Sequence, residues 1–161
     1  MTLAIRDHVR NSDRQAVRDI VTSSGFFSAE EIDVAEELVR EHLLKGEASG
    51  YLFVIAETGA GAVVGYACFG PTPCTARTHD LYWIAVREEA RGQGVGRAVL
   101  ARVEARLLAA GGGKLVAETS SRDQYASTRA FYARAGFAAE ARIRDYYAPG
   151  EDIIYFTKMV E

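Results

Sequence analysis

A mixed α/β fold is what this sequence predicts, and three observations predict it. Short apolar, aromatic-rich runs alternate with stretches of helical periodicity from one end of the chain to the other. One long helical stretch follows a strand directly across a glycine-rich turn. The last third ends in two β-rich runs around Ala148-Pro149-Gly150. No repeat or low-complexity segment interrupts the order, and 161 residues fit one domain, residues 1–161, able to bury roughly two thirds of its surface.

The elements follow in order. Leu3 to Val9 alternates weakly and reads as an edge strand, and Asn11 to Thr22 carries Ala16, Val17, Ile20 and Val21 at helical spacing. Ser28, with Glu31 three residues later and Gly46 at the far end, marks the cap, capping box and stop of a second, acidic helix. Tyr51 to Ala56 and Ala62 to Phe69 form a hairpin across ETGAG, ended by Pro71 and Pro73. Asp80 to Val86 is the next strand. It runs into the glycines, after which Val95, Val99, Val103 and Leu107 repeat every four residues, so an amphipathic helix extends to Gly111. Lys114 to Ser120 is a strand and Ala126 to Ala135 a short helix closed by Gly136. Ala139 to Tyr147 and Asp152 to Val160 form the terminal hairpin.

Composition excludes several classes. A net charge of -3 gives no basic footprint, so nucleic acid is a poor partner. The N-terminal stretch has charges throughout and no apolar core, and nothing approaches a membrane span, so a cytoplasmic protein without membrane contact is expected. Cys68 and Cys74 lack histidines at zinc-finger spacing; no metal site is expected, and both read as reduced thiols. The sequence leaves a homodimer open.

Arg91-Gly92-Gln93-Gly94-Val95-Gly96-Arg97 carries the chemistry. It lies where a strand meets a helix, so unpaired amides and the positive end of the helix dipole converge there. The glycines let the backbone approach a ligand, and Arg91 and Arg97 add positive charge, which makes a phosphate site. The spacing is neither G-x-G-x-x-G nor a P-loop, since no Lys-Ser/Thr follows, and this argues against a nucleotide-binding α/β protein.

The same residues match the signature Arg/Gln-x-x-Gly-x-Gly/Ala, and on them the chain resembles the GNAT superfamily of N-acyltransferases. The resemblance covers Leu81 to Phe137, including SSRDQYASTRAFYARAGF. It implies a mixed, mostly antiparallel central sheet flanked by helices, with a V-shaped splay between two central strands. It implies acetyl-CoA as co-substrate and an amine acceptor. The coenzyme pyrophosphate would lie on the amides of residues 91–97, and the pantetheine arm would pair like an extra strand with Ile84, Ala85 and Val86. Tyr125 stands where many members place an asparagine on the pantetheine, seven residues before Tyr132.

An amine of pKa about 10.4 is almost wholly protonated at pH 7, a penalty of about 4.6 kcal/mol, so transfer to it needs a base. By the resemblance Glu118 is that base, with Asp80 in reserve; the alternative is a solvent-facing carboxylate on a half-exposed strand. The resemblance likewise implies that Tyr132, four residues before Gly136-Phe137, is the acid that protonates the leaving sulfur; the alternative is a core aromatic. The amide of Val86 is a candidate donor to the oxyanion.

The tail with Tyr146, Tyr147, Glu151 and Asp152 resembles the terminal hairpin of bacterial ribosomal-protein N-terminal acetyltransferases, whose tyrosines line the acceptor groove; ordinary hairpin packing is the alternative. Glu30, Glu31, Asp33, Glu36, Glu37 and Glu41 either steer a cationic acceptor or form a solvated helix face. His8, His42 and His79 read as surface residues, and Trp83 as packing. A non-catalytic acyl-CoA sensor or scaffold is the alternative to an enzyme, disfavoured because Glu118 and Tyr132 accompany the glycine turn.

Overall fold

In the computed structural model, which describes all residues from Met1 to Glu161, the strands are β1 (Leu3–Arg6), β2 (Leu52–Thr58), β3 (Val63–Pro71), β4 (Thr78–Val86), β5 (Gly113–Ser120), β6 (Ala138–Ala148) and β7 (Glu151–Val160). The helices are α1 (Asp13–Ser23), α2 (Ala29–Lys45), α3 (Val95–Ala109) and α4 (Ala126–Arg134). One seven-stranded sheet runs in the order β1-β2-β3-β4-β5-β7-β6. β4 and β5 are parallel, whereas β1–β2, β2–β3, β5–β7 and β6–β7 are antiparallel. This is the mixed, mostly antiparallel sheet with flanking helices that the sequence predicts. No helix is long and apolar enough to cross a membrane.

The chain divides into two compact units, Met1–Gly70 with Tyr82–Arg106, and Pro71–Leu81 with Leu107–Glu161. In the first, the helical spacing of Val17, Ile20 and Val21 on α1 and of Ala35 and Val39 on α2 turns those residues onto Phe53, Ile55, Tyr66 and Cys68 of β2 and β3. The α2 capping box forms as spaced: the Glu31 amide donates to Ser28 Oγ and the Ser28 amide to Glu31 Oε1, both at 3.1 Å. Trp83 packs against the same core, edge-on to Phe27.

A buried ionic network joins β1, α1 and β2. Arg6 donates to both carboxylate oxygens of Asp13 at 2.6 and 2.8 Å and to Glu57 Oε1 at 2.7 Å, and Asp13 is fully buried. Such a triad is costly to desolvate, so its stability depends on every charge keeping its partner. On α3, Val95, Val99 and Val103 are fully buried, and Arg106 Nη1 donates to the Phe53 carbonyl at 2.6 Å with its guanidinium over the Phe69 ring.

In the second unit, β4 pairs with β5 from Thr78↔Lys114 to Leu81↔Ala117, and β7 pairs with β5 from Val160↔Gly113 to Ile153↔Ser120. Gly113 (φ +143°) starts β5 against the Arg77 carbonyl, where any side chain would collide with backbone. Tyr132 of α4 is buried among Phe131, Phe137 and Phe156, with ring centroids 5.3 to 5.7 Å apart. Both cysteines are free thiols, Cys68 buried and Cys74 exposed.

The acidic face of α2 is a solvated face, with Glu30, Glu31, Asp33 and Glu37 exposed, and it is ion-paired: Glu36 with Arg14 and Arg18, Asp33 with Arg18, Glu41 with Lys45 and Glu37 with Arg40. Two expectations are corrected. His42 and His79 are half-buried rather than surface residues; His42 Nδ1 lies 2.6 Å from the Tyr51 carbonyl, edge-on to Phe53. Tyr146 and Tyr147 do not pack into the hairpin. Every residue of β6, an outer strand of the sheet, is exposed, and the strand leaves its register between Ile143 and Ala148, where Asp145 takes a left-handed φ of 55°.

Replacing Asp13 with alanine leaves the buried Arg6 with Glu57 as its one remaining carboxylate and should lower stability by up to about 3 to 5 kcal/mol in urea unfolding. A loss below about 1 kcal/mol, as for a surface pair, would show that the network is not a structural requirement.

Candidate active site

The glycine turn is built at the start of α3. The Ala98 amide donates to the Gly94 carbonyl at 3.0 Å, the first helical bond, so the amides of Val95, Gly96 and Arg97 have no acceptor within the helix. Gly92 (φ +75°) and Gly94 (φ +82°) take left-handed conformations, and a side-chain carbon built on either meets nothing within 4 Å. The turn therefore leaves room at Gly92 and Gly94 beside the start of α3, where a helix's unpaired amides favour an anion. Arg91, Gly92, Gln93, Gly94 and Arg97 are exposed, Gly96 is half-buried in the first helical turn, and Val95 is buried. Arg91 Nη1 lies 3.4 Å from Glu88, and Gln93 Nε2 donates to the Glu89 carbonyl at 3.3 Å.

Gly65 on β3 explains how the turn is seated. A side-chain carbon on Gly65 would stand 2.6 Å from Val95 Cγ1 and 3.4 Å from the Ala85 carbonyl. The glycine thus lets the first residue of α3 close onto β3. Ile84, Ala85 and Val86 are half-buried in the second half of β4, beyond Leu81, the last residue of β4 registered with β5.

The second unit gathers a carboxylate and several phenols. Alternation on β5 buries Leu115, Ala117 and Thr119 and leaves Glu118 on the opposite face, where Tyr155 of β7 is its registered partner. Although Glu118 is exposed as a residue, its carboxyl is partly shielded. Burial, and after it the Asp80 charge, raises its pKa. Tyr147 is pushed up to about 12, first by burial and then by Glu118, Tyr146, Tyr155 and Tyr125. Burial and Glu118 likewise raise Tyr155. Tyr125, half-buried, precedes α4. Asp152 fixes the neighbouring bulge, accepting from the Asp145 amide at 2.9 Å and Arg142 Nε at 2.6 Å, while Ser120 Oγ donates to Glu151 at 3.3 Å. The Tyr132 phenol is raised by burial alone, which keeps it protonated.

Residues 14–137 match the model of the acetyltransferase (GNAT) family. The chain belongs to that family. Among solved structures, a GNAT-family protein from Desulfovibrio desulfuricans is 49% identical over 99% of this chain and all of that one, with a TM-score of 0.96. The ribosomal-protein-S18-alanine N-acetyltransferase from Escherichia coli shares the fold at 22% identity (TM-score 0.79), over 99% of this chain and 95% of that one. So does the PaiA N-acetyltransferase from Thermoplasma acidophilum, solved with coenzyme A, at 19% identity and TM-score 0.73, over 99% of each chain. No curated protein matches the sequence.

Within this GNAT chain the structure keeps the sequence-predicted residues in two sets. The turn and Ile84–Val86 belong to the first unit, whereas Glu118, Tyr125 and Tyr132 belong to the second. Sequence reasoning missed Gly65 and Tyr155. A glycine inside an apolar strand is the signal that could have found Gly65; Tyr155 is found only from the β5–β7 register.

Glu118→Gln removes a negative charge beside Tyr147, so the Tyr147 phenol should ionise at lower pH than about 12. Carbon-13 NMR of ring-labelled tyrosine checks this, and an unmoved midpoint would show that the two groups do not interact.

Proposed function

We propose that this chain is an acetyl-CoA-dependent N-acetyltransferase, one domain over residues 1–161, moving an acetyl group directly to a primary amine. The observation that carries this reading is the uncrowded, left-handed turn at Gly92 and Gly94 immediately before α3, whose first amides have no acceptor within the helix. Backbone amides of 91–97, with Arg91 and Arg97, would hold the pyrophosphate. The free stretch of β4 at Ile84, Ala85 and Val86 would pair with the pantetheine amides, and Tyr125 would contact the same arm.

Acetyl-CoA supplies an activated thioester when bound. The chain supplies the proton transfers. Glu118 takes a proton from the acceptor ammonium; its pKa, raised by burial and then by the Asp80 charge, makes it a better base than an ordinary surface carboxylate. As the N–C bond forms and the C–S bond breaks, Tyr132, kept protonated by burial, gives its proton to the departing sulfur. The Val86 amide is the candidate donor to the carbonyl oxygen. No covalent enzyme intermediate is required, and holding both reactants together contributes much of the rate.

Calorimetric titration with acetyl-CoA, followed by thiol release against a panel of amines and short peptides, tests the reading. Binding with release establishes the transferase; binding without release favours a non-catalytic acyl-CoA sensor; no binding overturns both. Gly94→Glu places a carboxylate where the phosphate would lie, and acetyl-CoA binding should be lost. Tyr132→Phe should lower kcat by roughly 10²-fold or more with acetyl-CoA affinity near that of the parent, and unchanged turnover would remove Tyr132 from the mechanism.

A further inference from the structure

Asp80 is tied to Glu118 by the sheet itself. β4 and β5 run parallel with Asp80 registered opposite Val116, so Asp80, Val116 and Glu118 share one face of the sheet. The next pair, Leu81 and Ala117, turns into the core at 5% and 1% exposure. Asp80 is thus the diagonal neighbour of Glu118, a separation across which side chains still interact.

Asp80 is also held in place. Thr72 Oγ1 donates to Asp80 Oδ2 at 2.7 Å. Thr72 is itself fixed: its amide donates to the Thr78 carbonyl at 2.9 Å, and its carbonyl accepts from Thr75 Oγ1 at 2.8 Å. A small hydrogen-bonded turn between β3 and β4 therefore positions one carboxylate oxygen. The other groups facing Glu118 are phenols, Tyr155 from β7 and Tyr147 from β6, the latter also influenced by Tyr125 and Tyr146. His79 lies beside Asp80 and is held toward its neutral form, first by burial, with the Asp80 charge opposing.

We propose that Asp80 is a positioning residue for acetyl transfer, a fixed negative charge buttressed by Thr72 that makes Glu118 an effective proton acceptor. This rests on the reading of Glu118 as the base. Two carboxylates on one face do not share the site equally. Burial raises the pKa of the Glu118 carboxyl most and the Asp80 charge adds to it, while the Thr72 hydroxyl holds Asp80 Oδ2 in place beside it. The Thr72 hydroxyl thereby fixes where the Asp80 charge sits relative to Glu118.

The test uses the full chain. Carbon-13 NMR of the labelled Glu118 carboxyl, without coenzyme or acceptor, is recorded against pH for the parent, Asp80→Asn and Thr72→Val. The Glu118 midpoint should fall in Asp80→Asn, because the neighbouring charge is gone. It should move less in Thr72→Val, where the charge remains but is no longer held. The rising limb of kcat/KM against pH, measured by thiol release from acetyl-CoA with a primary-amine acceptor, should shift to lower pH with the midpoint, and its plateau should fall by roughly tenfold. An unchanged Glu118 midpoint in folded Asp80→Asn overturns the proposal whatever the activity. Glu118→Gln separates the underlying reading: if that variant turns over normally, Glu118 is not the base, and the role of Asp80 falls with it. Asp80→Ser, which also removes the charge, should reproduce the midpoint shift, and failure to do so would again overturn the proposal.

Discussion

The close seat of Val95 on Gly65 is the constraint on which the first unit depends. With no side chain at Gly65, the first residue of α3 rests directly against β3, and the helix begins there. Where the helix begins decides where its unpaired amides point, and hence where a phosphate can be held. The turn's own glycines then supply only the left-handed backbone that lets the chain enter the helix at that place. The bonds of Arg106 to the Phe53 carbonyl and of Arg102 to Asp7 anchor the same helix further along its length.

The second unit solves a different problem. A base for an ammonium proton must be ionised at working pH and still bind a proton readily, two demands that pull its pKa in opposite directions. In the proposed mechanism that task falls to Glu118 on β5, whose carboxyl is partly shielded while the residue stays exposed. The phenols of Tyr147 and Tyr155 beside it are raised first by burial and then by the Glu118 charge.

Much of the fold was legible because it rests on local rules. The Ser28–Glu31 box, the four-residue stripe of α3, the ETGAG hairpin and the Gly136 stop each depend on residues a few positions apart. The glycine turn was visible for the same reason, since a helix start and its glycines are contiguous. What escaped depends on partners remote in sequence. Arg6 and Glu57 meet only because β1 and β2 pair in one register, and Asp80 neighbours Glu118 only because β4 and β5 are parallel. The acidic residues of α2 looked free because Arg14 and Arg18 lie on another helix. The exposure of Tyr146 and Tyr147 accompanies a bulge that alternation alone does not announce.

That bulge also bears on association with other chains. β6 is an outer strand of eleven exposed residues, the kind of open border to which another polypeptide can add itself. The left-handed kink at Asp145, clamped by Asp152 and by the Gly150 amide, breaks that border into two short pieces, and Glu140, Arg142 and Arg144 put charges along the first. The irregularity that displays the two tyrosines thus also interrupts the straight edge on which another strand would pair.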